Sequence, residues 1–486
     1  MLSTTRRSPE RGQVLVLFGG GIVALLIIAA LAFDVGMTVV ERRDQQNAAD
    51  AAALAGARFL VTDDAAAKAA AEAAARSLAI DNGFNDADAS EAVNVFIPPI
   101  HGKYKAFPRF IEVQIEATRP SVFGGIFGKS EWPVGAFAVA TNAQNLTFPF
   151  SMLALDETAC EAIKVTGGGV VEAYANIQSN STGADCVGAP VSFKRAGGAT
   201  IDVIADDATC RAVGEIVDEG SGSMTCTPAE NSFALPDPLR ALPEPAKPLL
   251  PTPAMQPVGH SSQIPAFCPG ATPASKAPSE TTPKTCKIPS GGSPANEAWI
   301  LYPGLYPGGI EVDKNRTVYL MPGIYWIGGG GLIVKGDSSI VTIGATGDAN
   351  PIVADATWGG GVLIYNSKLP AMPGGEVHLN GGGATIKLKP FNVPVGDPLD
   401  IYNDIVFFQD RTVTTPITLN GSDSDTEVEG VIYAPDAQVK LNGNNGTLIT
   451  DQIIAGTYDI NGDGGTIQVL ANKGFDSELT AAGLVE

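Results

Sequence analysis

The chain has 486 residues, enough for two or three domains with sizeable cores, and a formal net charge of -21. That acidity, with no basic patch to offset it, excludes nucleic acid and a peripheral hold on anionic lipid. Only 17% of residues are charged, while glycine (56) and proline (35) exceed average usage, which excludes a disordered tail and favours turn-rich β architecture over helix bundles.

The first element is an apolar run. From Val14 to Phe33 no residue is charged, and at about 1.5 Å per residue the run spans roughly the 30 Å of a bilayer's hydrocarbon core. Arg6, Arg7 and Arg11 precede it, whereas Arg42 and Arg43 follow only after Asp34 and Glu41. The positive-inside rule therefore puts residues 1–12 in the cytoplasm and the bulk of the chain outside. Ala30-Leu31-Ala32 has the form of a signal-peptidase site, but the apolar core is longer than the 7 to 15 residues of a secretory signal, which favours a retained anchor.

The helix is expected to continue to residue 60, since Val35 to Leu60 is proline-free and rich in helix formers. Gln46-Asn47-Ala48-Ala49-Asp50-Ala51-Ala52-Ala53-Leu54-Ala55-Gly56-Ala57 gives it a smooth face. Such a face suits close approach by another helix, and it is equally what high helix propensity alone produces.

Arg11-Gly12-Gln13 entering the apolar run, Asp34-Val35-Gly36 leaving it, and the word from Gln46 to Ala57 resemble the amino-terminal segment of TadE/TadG-like Flp (tight adherence) pilus-assembly proteins. The likeness departs at one point. A pilin-type leader cut after Gly12 would put Leu17 fifth, where processed pilins usually carry Glu. The resemblance implies a single-pass protein of the bacterial inner membrane whose partners are other Tad/Flp components, and it implies no cofactor.

Residues 63–80 read as a second alanine-rich helix, started by Asp63 and Asp64 and ended by Asn82-Gly83. Strands are expected over Val93 to Ile97, Arg109 to Ala117 and Val134 to Thr141, so that residues 61–145 make a small α+β domain. The FGGIFG stretch at 123–128 lacks the GK[ST] ending of a phosphate loop and reads as an apolar turn packed on the helix. Residues 110–141 add to the family resemblance.

From residue 150 short apolar strands alternate with glycine and asparagine. Leu379-Asn380-Gly381, Leu419-Asn420-Gly421, Leu441-Asn442-Gly443 and Ile460-Asn461-Gly462 begin 40, 22 and 19 residues apart, which fits a coil of about twenty residues with one word missing near residue 400. In such a coil Val439, Leu441, Ile467 and Val469 point inward. An ordinary β-sandwich with Asn-Gly hairpins is the competing reading.

The expected organisation is α+β with dominant β. A transmembrane and pilin-like helix (13–60) leads to the small domain and then to a right-handed β-solenoid in two parts, 146–235 and 295–472. A proline-rich excursion (236–294), too proline-dense for a packed sheet, separates the two parts, and a tail (473–486) follows. The excursion is expected to lie extended against the solenoid. The later β-rich words, from Asp404-Ile405-Val406 to Gln452-Ile453-Ile454, resemble the long tails of TadG-like proteins.

Cys160, Cys186, Cys210, Cys226, Cys268 and Cys286 all follow the anchor, as suits an oxidising compartment such as the periplasm. Six cysteines allow fifteen connectivities, of which nearest-neighbour pairing is the simplest. Zinc is the competing use, but there is no CxxC and only His101, His260 and His378 exist.

No catalytic triad or metalloprotease motif occurs in a usable context. Asp423, Asp425, Glu427 and Glu429 alternate as the carboxylates of a polysaccharide-cleaving β-helix or a calcium loop would, but they sit in a turn region where solvated charge is the default. The reading is therefore a structural protein with no catalytic, cofactor or metal residues. The alternative is an anchored β-helix that binds or cleaves envelope glycan, using the aromatic group Trp299, Tyr302, Tyr306, Tyr325 and Trp326.

Overall fold

A computed structural model describes residues 11–142, 145–205, 209–248, 280–288, 298–343, 360–380, 385–421, 426–443, 445–480 and 483–485. The chain forms two units, one of residues 1–146 and 480–486 and the other of residues 147–479.

In the smaller unit α1 (Arg11–Ala57) is one continuous helix that carries the apolar run straight into the alanine-rich stretch. The second helix, α2 (Ala65–Asp81), starts where Asp64 accepts the Ala67 N–H, and it stops at Asn82. Three antiparallel strands follow, β1 (Glu91–Phe96), β2 (Phe110–Pro120) and β3 (Glu131–Thr141), and Gly483–Leu484 returns to pair with Thr141 and Ala140. Alternation sets the faces. Ile111, Val113 and Ile115 of β2 are buried toward the helices, against Ala48, Ala49, Ala52, Ala53 and Ala57 of α1 and Ala71, Ala75 and Ala79 of α2.

The larger unit is a continuous, mostly parallel sheet in which strands pair with those one repeat further along the chain. The pairs line up in three columns. One runs Ile288, Val312, Val334, Leu379, Leu419, Leu441, Ile460, Val165, Arg195 and Asp218. The second runs Trp299, Val318, Ile340, Ile386, Thr426, Leu448, Ile467, Val171 and Ile201. The third runs Leu305, Trp326, Tyr365, Phe408, Tyr433, Ile454, Leu153, Gln178 and Arg211.

The Leu-Asn-Gly words therefore stack in register, as their spacing predicts, but no word is missing near residue 400. Leu379 pairs directly with Leu419, and the extra length between them holds an insertion with a short 3-10 turn at Asp400–Tyr402. An insertion lengthens a connection without adding a strand to the ladder, and spacing alone cannot tell the two apart.

Burial differs between the columns. Strands of the first two alternate buried and half-buried residues, whereas Phe150–Ala154, Val362–Ser367 and Ile405–Gln409 of the third are buried throughout. Strands read this way when both faces are covered. Inside is the core with Ile364, Phe407 and Ile432, and outside lies the start of the proline-rich excursion.

Candidate functional site

The apolar run of α1 is the first feature on which function bears. Among side chains described from Leu17 onward, Leu17, Phe18, Val23, Leu25, Leu26 and Ile28 of α1 are all exposed, an arrangement water would penalise and a bilayer would not. By length and composition this stretch of α1 is apolar enough to cross a membrane.

At the end of the run Asp34 is 3% exposed. Its carboxylate accepts the Ser121 hydroxyl at 2.6 Å and the backbone N–H groups of Val122 (3.0 Å), Phe123 (3.1 Å) and Gly124 (2.7 Å). The FGGIFG turn is thus pinned by a charged acceptor, with Phe33 and Phe123 meeting edge to face at 5.9 Å. Among the described side chains, that ring contact carries the expected apolar packing, while Val122 and Ile126 project away from the protein. Gly124 is required here, since a Cβ would stand 2.4 Å from the Ser121 Oγ and 2.8 Å from the Lys129 carbonyl oxygen.

The small-residue face is not free for a partner helix. Ala48, Ala49, Ala52, Ala53, Gly56 and Ala57 are buried against α2 and the sheet of their own unit. Gln46 and Asp50 bond to each other at 2.8 Å and Gln46 also donates to the Phe137 carbonyl at 3.0 Å, while Asn47 and Leu54 are exposed and Ala51 and Ala55 are half-buried. The motif spells an internal contact, because alanine lets the helix and sheet come close whichever chain supplies them.

In the larger unit Cys160 pairs with Cys186 and Cys210 with Cys226, the nearest-neighbour arrangement, and both bonds point to a compartment outside the cytoplasm. Cys268, the expected partner of Cys286, lies outside the described residues, as do His260, Asp423 and Asp425. Among the described residues no group of three His, Cys, Asp or Glu side chains could hold a metal ion.

Residues 233–248 lie along the outer face of the third column. There Trp326, Tyr365, Phe408 and Tyr433, in register on four neighbouring strands, form a ladder with ring centroids 5.5, 5.1 and 5.2 Å apart. Proline offers carbonyls and no N–H, so the strap is held by donors from the sheet and its insertion. The Arg411 Nη2 donates to the carbonyls of Leu239 (2.8 Å) and Leu242 (3.0 Å), the Tyr402 hydroxyl to Pro243 (3.1 Å) and the Trp326 Nε1 to Pro245 (3.4 Å). The Tyr433 hydroxyl donates to the Asp237 carboxylate at 2.8 Å.

Beside the strap's start is a cleft of about 870 Å³ bearing Asp156, Asp237, Asp436, Arg240 and Arg411. Burial raises the Asp436 pKa, Arg411 opposes the shift, and the charges of Asp156, Asp237 and Asp410 add to it. The aromatic group expected to stack on sugars is elsewhere and buried: Trp299, Tyr302, Tyr306, Tyr325 and Trp326 are at most 8% exposed. The Tyr306 and Tyr325 hydroxyls are turned inward onto backbone carbonyls at 2.6 and 2.7 Å. Their density in sequence reflects packing at one end of the sheet, where Trp299, Tyr306 and Tyr325 fill the core and Trp326 lies under the strap. The aromatic ladder itself escapes sequence reading because its members are about 25 to 43 residues apart and meet only through register.

Residues 12–58 match the model of the Flp pilus-assembly TadE/G-like family, and residues 306–471 match a domain of unknown function, DUF7305. No curated protein and no solved structure matches the chain.

Proposed function

From the premise that its amino-terminal segment is a TadE/G-like Flp pilus-assembly domain, we propose that this protein is a membrane-anchored structural component of the Flp pilus machinery. It crosses the inner membrane once, keeps its short amino terminus in the cytoplasm and holds the rest in the periplasm or at the cell surface. The larger unit is a right-handed β-solenoid that contacts other envelope or pilus proteins, and its role is structural rather than catalytic.

One observation carries the reading. Helix α1 is bare and apolar over Leu17–Phe33 and then, without a break, packed into a folded unit over Ala48–Ala57. A helix of this kind ties a folded body rigidly to a bilayer. Three parallel ladders with a repeat near twenty residues support the solenoid, and the two disulfides support an oxidising location.

The test is pilus number by negative-stain microscopy in a strain lacking the gene, with a plasmid-restored control. Loss of pili that returns on restoration is expected. Normal piliation in the deletion strain overturns the assignment to pilus assembly.

A further inference from the structure

The turn at residues 121–128 leaves a group of apolar side chains uncovered beside the anchor. Val122 is 64% and Ile126 79% exposed, and Phe123 reaches the Phe33 ring at the end of the apolar run. Around the helix the apolar surface does not stop at Phe33. Val35, Met37, Val39 and Val40 are all exposed, and the one charged residue between Leu17 and Val40, Asp34, is turned inward and satisfied by the turn itself.

The lipid-compatible side of α1 therefore runs from Leu17 to Val40, roughly 36 Å at about 1.5 Å per residue, beyond the roughly 30 Å of a hydrocarbon core. Its last turns belong in the interfacial layer, and the Asp34 clamp fixes the 121–128 turn at that level. Nearby, the Lys129 Nζ lies over the Trp132 ring at 4.5 Å, and Trp and Lys are residues that anchor proteins at this depth.

We propose that the 121–128 turn is a second membrane contact, inserting Val122, Phe123 and Ile126 into the interfacial layer of the bilayer beside α1, with Asp34 as the peg that holds it there. A free apolar tip of this kind costs solvation in water. The continuity with the apolar side of α1 makes lipid, rather than a second copy or another protein, its partner.

The inference rests on the membrane-anchor reading of α1, and one experiment separates the two. The full chain is expressed in membranes with a photoreactive phenylalanine analogue at Val122, at Ile126, at Leu25 within the anchor, or at Val187, a fully exposed position of the larger unit. Lipid adducts are then read by mass spectrometry. Adducts at Val122, Ile126 and Leu25 with none at Val187 are expected. Adducts at Leu25 but not at Val122 or Ile126, or protein adducts at those two positions, overturn the inference and leave the anchor standing. No lipid adduct at Leu25 removes the anchor and the inference with it. As a second variant, Asp34→Ala frees the turn, and loss of the Ile126 adduct with the Leu25 adduct retained is expected. An unchanged Ile126 adduct overturns the role of Asp34 as the peg.

Discussion

Substitution of Gly56 tests whether the small-residue face of α1 is an internal seam. A Cβ on Gly56 would stand 2.5 Å from the Ile111 Cδ1 and 2.9 Å from the Ala71 carbonyl oxygen. Gly56→Ala gains about 1 kcal/mol of helix propensity. The Ile111 methyl can rotate away, but the Ala71 oxygen is backbone, so α2 must retreat, and overpacking of this kind costs about 1–3 kcal/mol. The second effect wins, leaving a net loss of up to about 2 kcal/mol. Gly56→Leu adds three more carbons where there is no room, and its loss exceeds that of the alanine. Hydrogen exchange on the full chain reads this directly. Amides of β2 should exchange up to about 30-fold faster in Gly56→Ala, faster still in Gly56→Leu, and amides of Ile405–Gln409 should not change. Unaltered exchange in β2 for Gly56→Leu would refute the packing argument and return this face to the role of an intermolecular contact.

Arg411→Ala removes the donor to three strap carbonyls and the guanidinium lying 5.4 Å from the Phe408 and Tyr433 ring centroids. The loss, about 1.5–3 kcal/mol for a charged donor, should appear as faster protease cleavage between Leu235 and Pro248, and equal cleavage would count against the strap. Asp451 is buried, its carboxylate accepts the Gly430 N–H at 2.7 Å, and burial raises its pKa. The folded state thus holds this proton to higher pH than the unfolded one, so the stability it contributes is present below about pH 4 and lost as pH rises through the raised folded value. Asp451→Asn should raise the Tm at neutral pH and lose that advantage on acidification; a difference independent of pH would contradict the assignment. Tyr458→Phe leaves the buried Leu153 and Ile453 carbonyls, 2.9 and 2.7 Å from the hydroxyl, without that donor, and should lower stability in urea by about 1–3 kcal/mol. An unchanged midpoint would sink that estimate.

Local rules made much of the fold legible. Proline and Asn-Gly punctuation places α2 and β1 to β3 within a few residues of where they stand, because caps, turns and period-two alternation are written in neighbouring residues. The Leu-Asn-Gly words fall in one column because identical corners recur at a fixed period, and the Asn442 amide even donates to Asn420 at 2.6 Å across the ladder. What sequence left hidden depends on partners far along the chain. The Ala48 to Ala57 face reads the same whether its neighbour is α2 or another protein, and only Ile111 and Ala71 decide it. Asp34 reads as the end of an apolar run, and the donors that pin it lie 87 to 90 residues away. Trp326 and Tyr325 are adjacent in sequence yet face opposite sides of the sheet, one to the strap and one to the core.

The order of the ladders explains why the strap exists. Strands at residues 448–469, near the end of the chain, pair with those at 152–173, near the start of the larger unit, so the middle of the sheet joins its latest and earliest strands. The described ladders end at Thr227–Ala229 on one side and at Cys286–Ile288 on the other. The two ends of the sheet stand nine strand spacings of about 4.8 Å, or roughly 43 Å, apart in the first column, and residues 233–248 run along the outer face from Asn180 past Tyr433 and Arg411 to Trp326. A segment with free N–H groups making that journey along a sheet would compete for the edges it passes. Proline removes many of those donors, and the segment is held largely by side chains of the sheet and its insertion, from Asn180 and Tyr433 to Arg411, Tyr402 and Trp326 beside the aromatic ladder. The proline density of residues 236–248 and the continuous burial of the third column are therefore two consequences of one topology. A chain that closes its sheet at the middle must be brought back across it, and the face it crosses becomes dry.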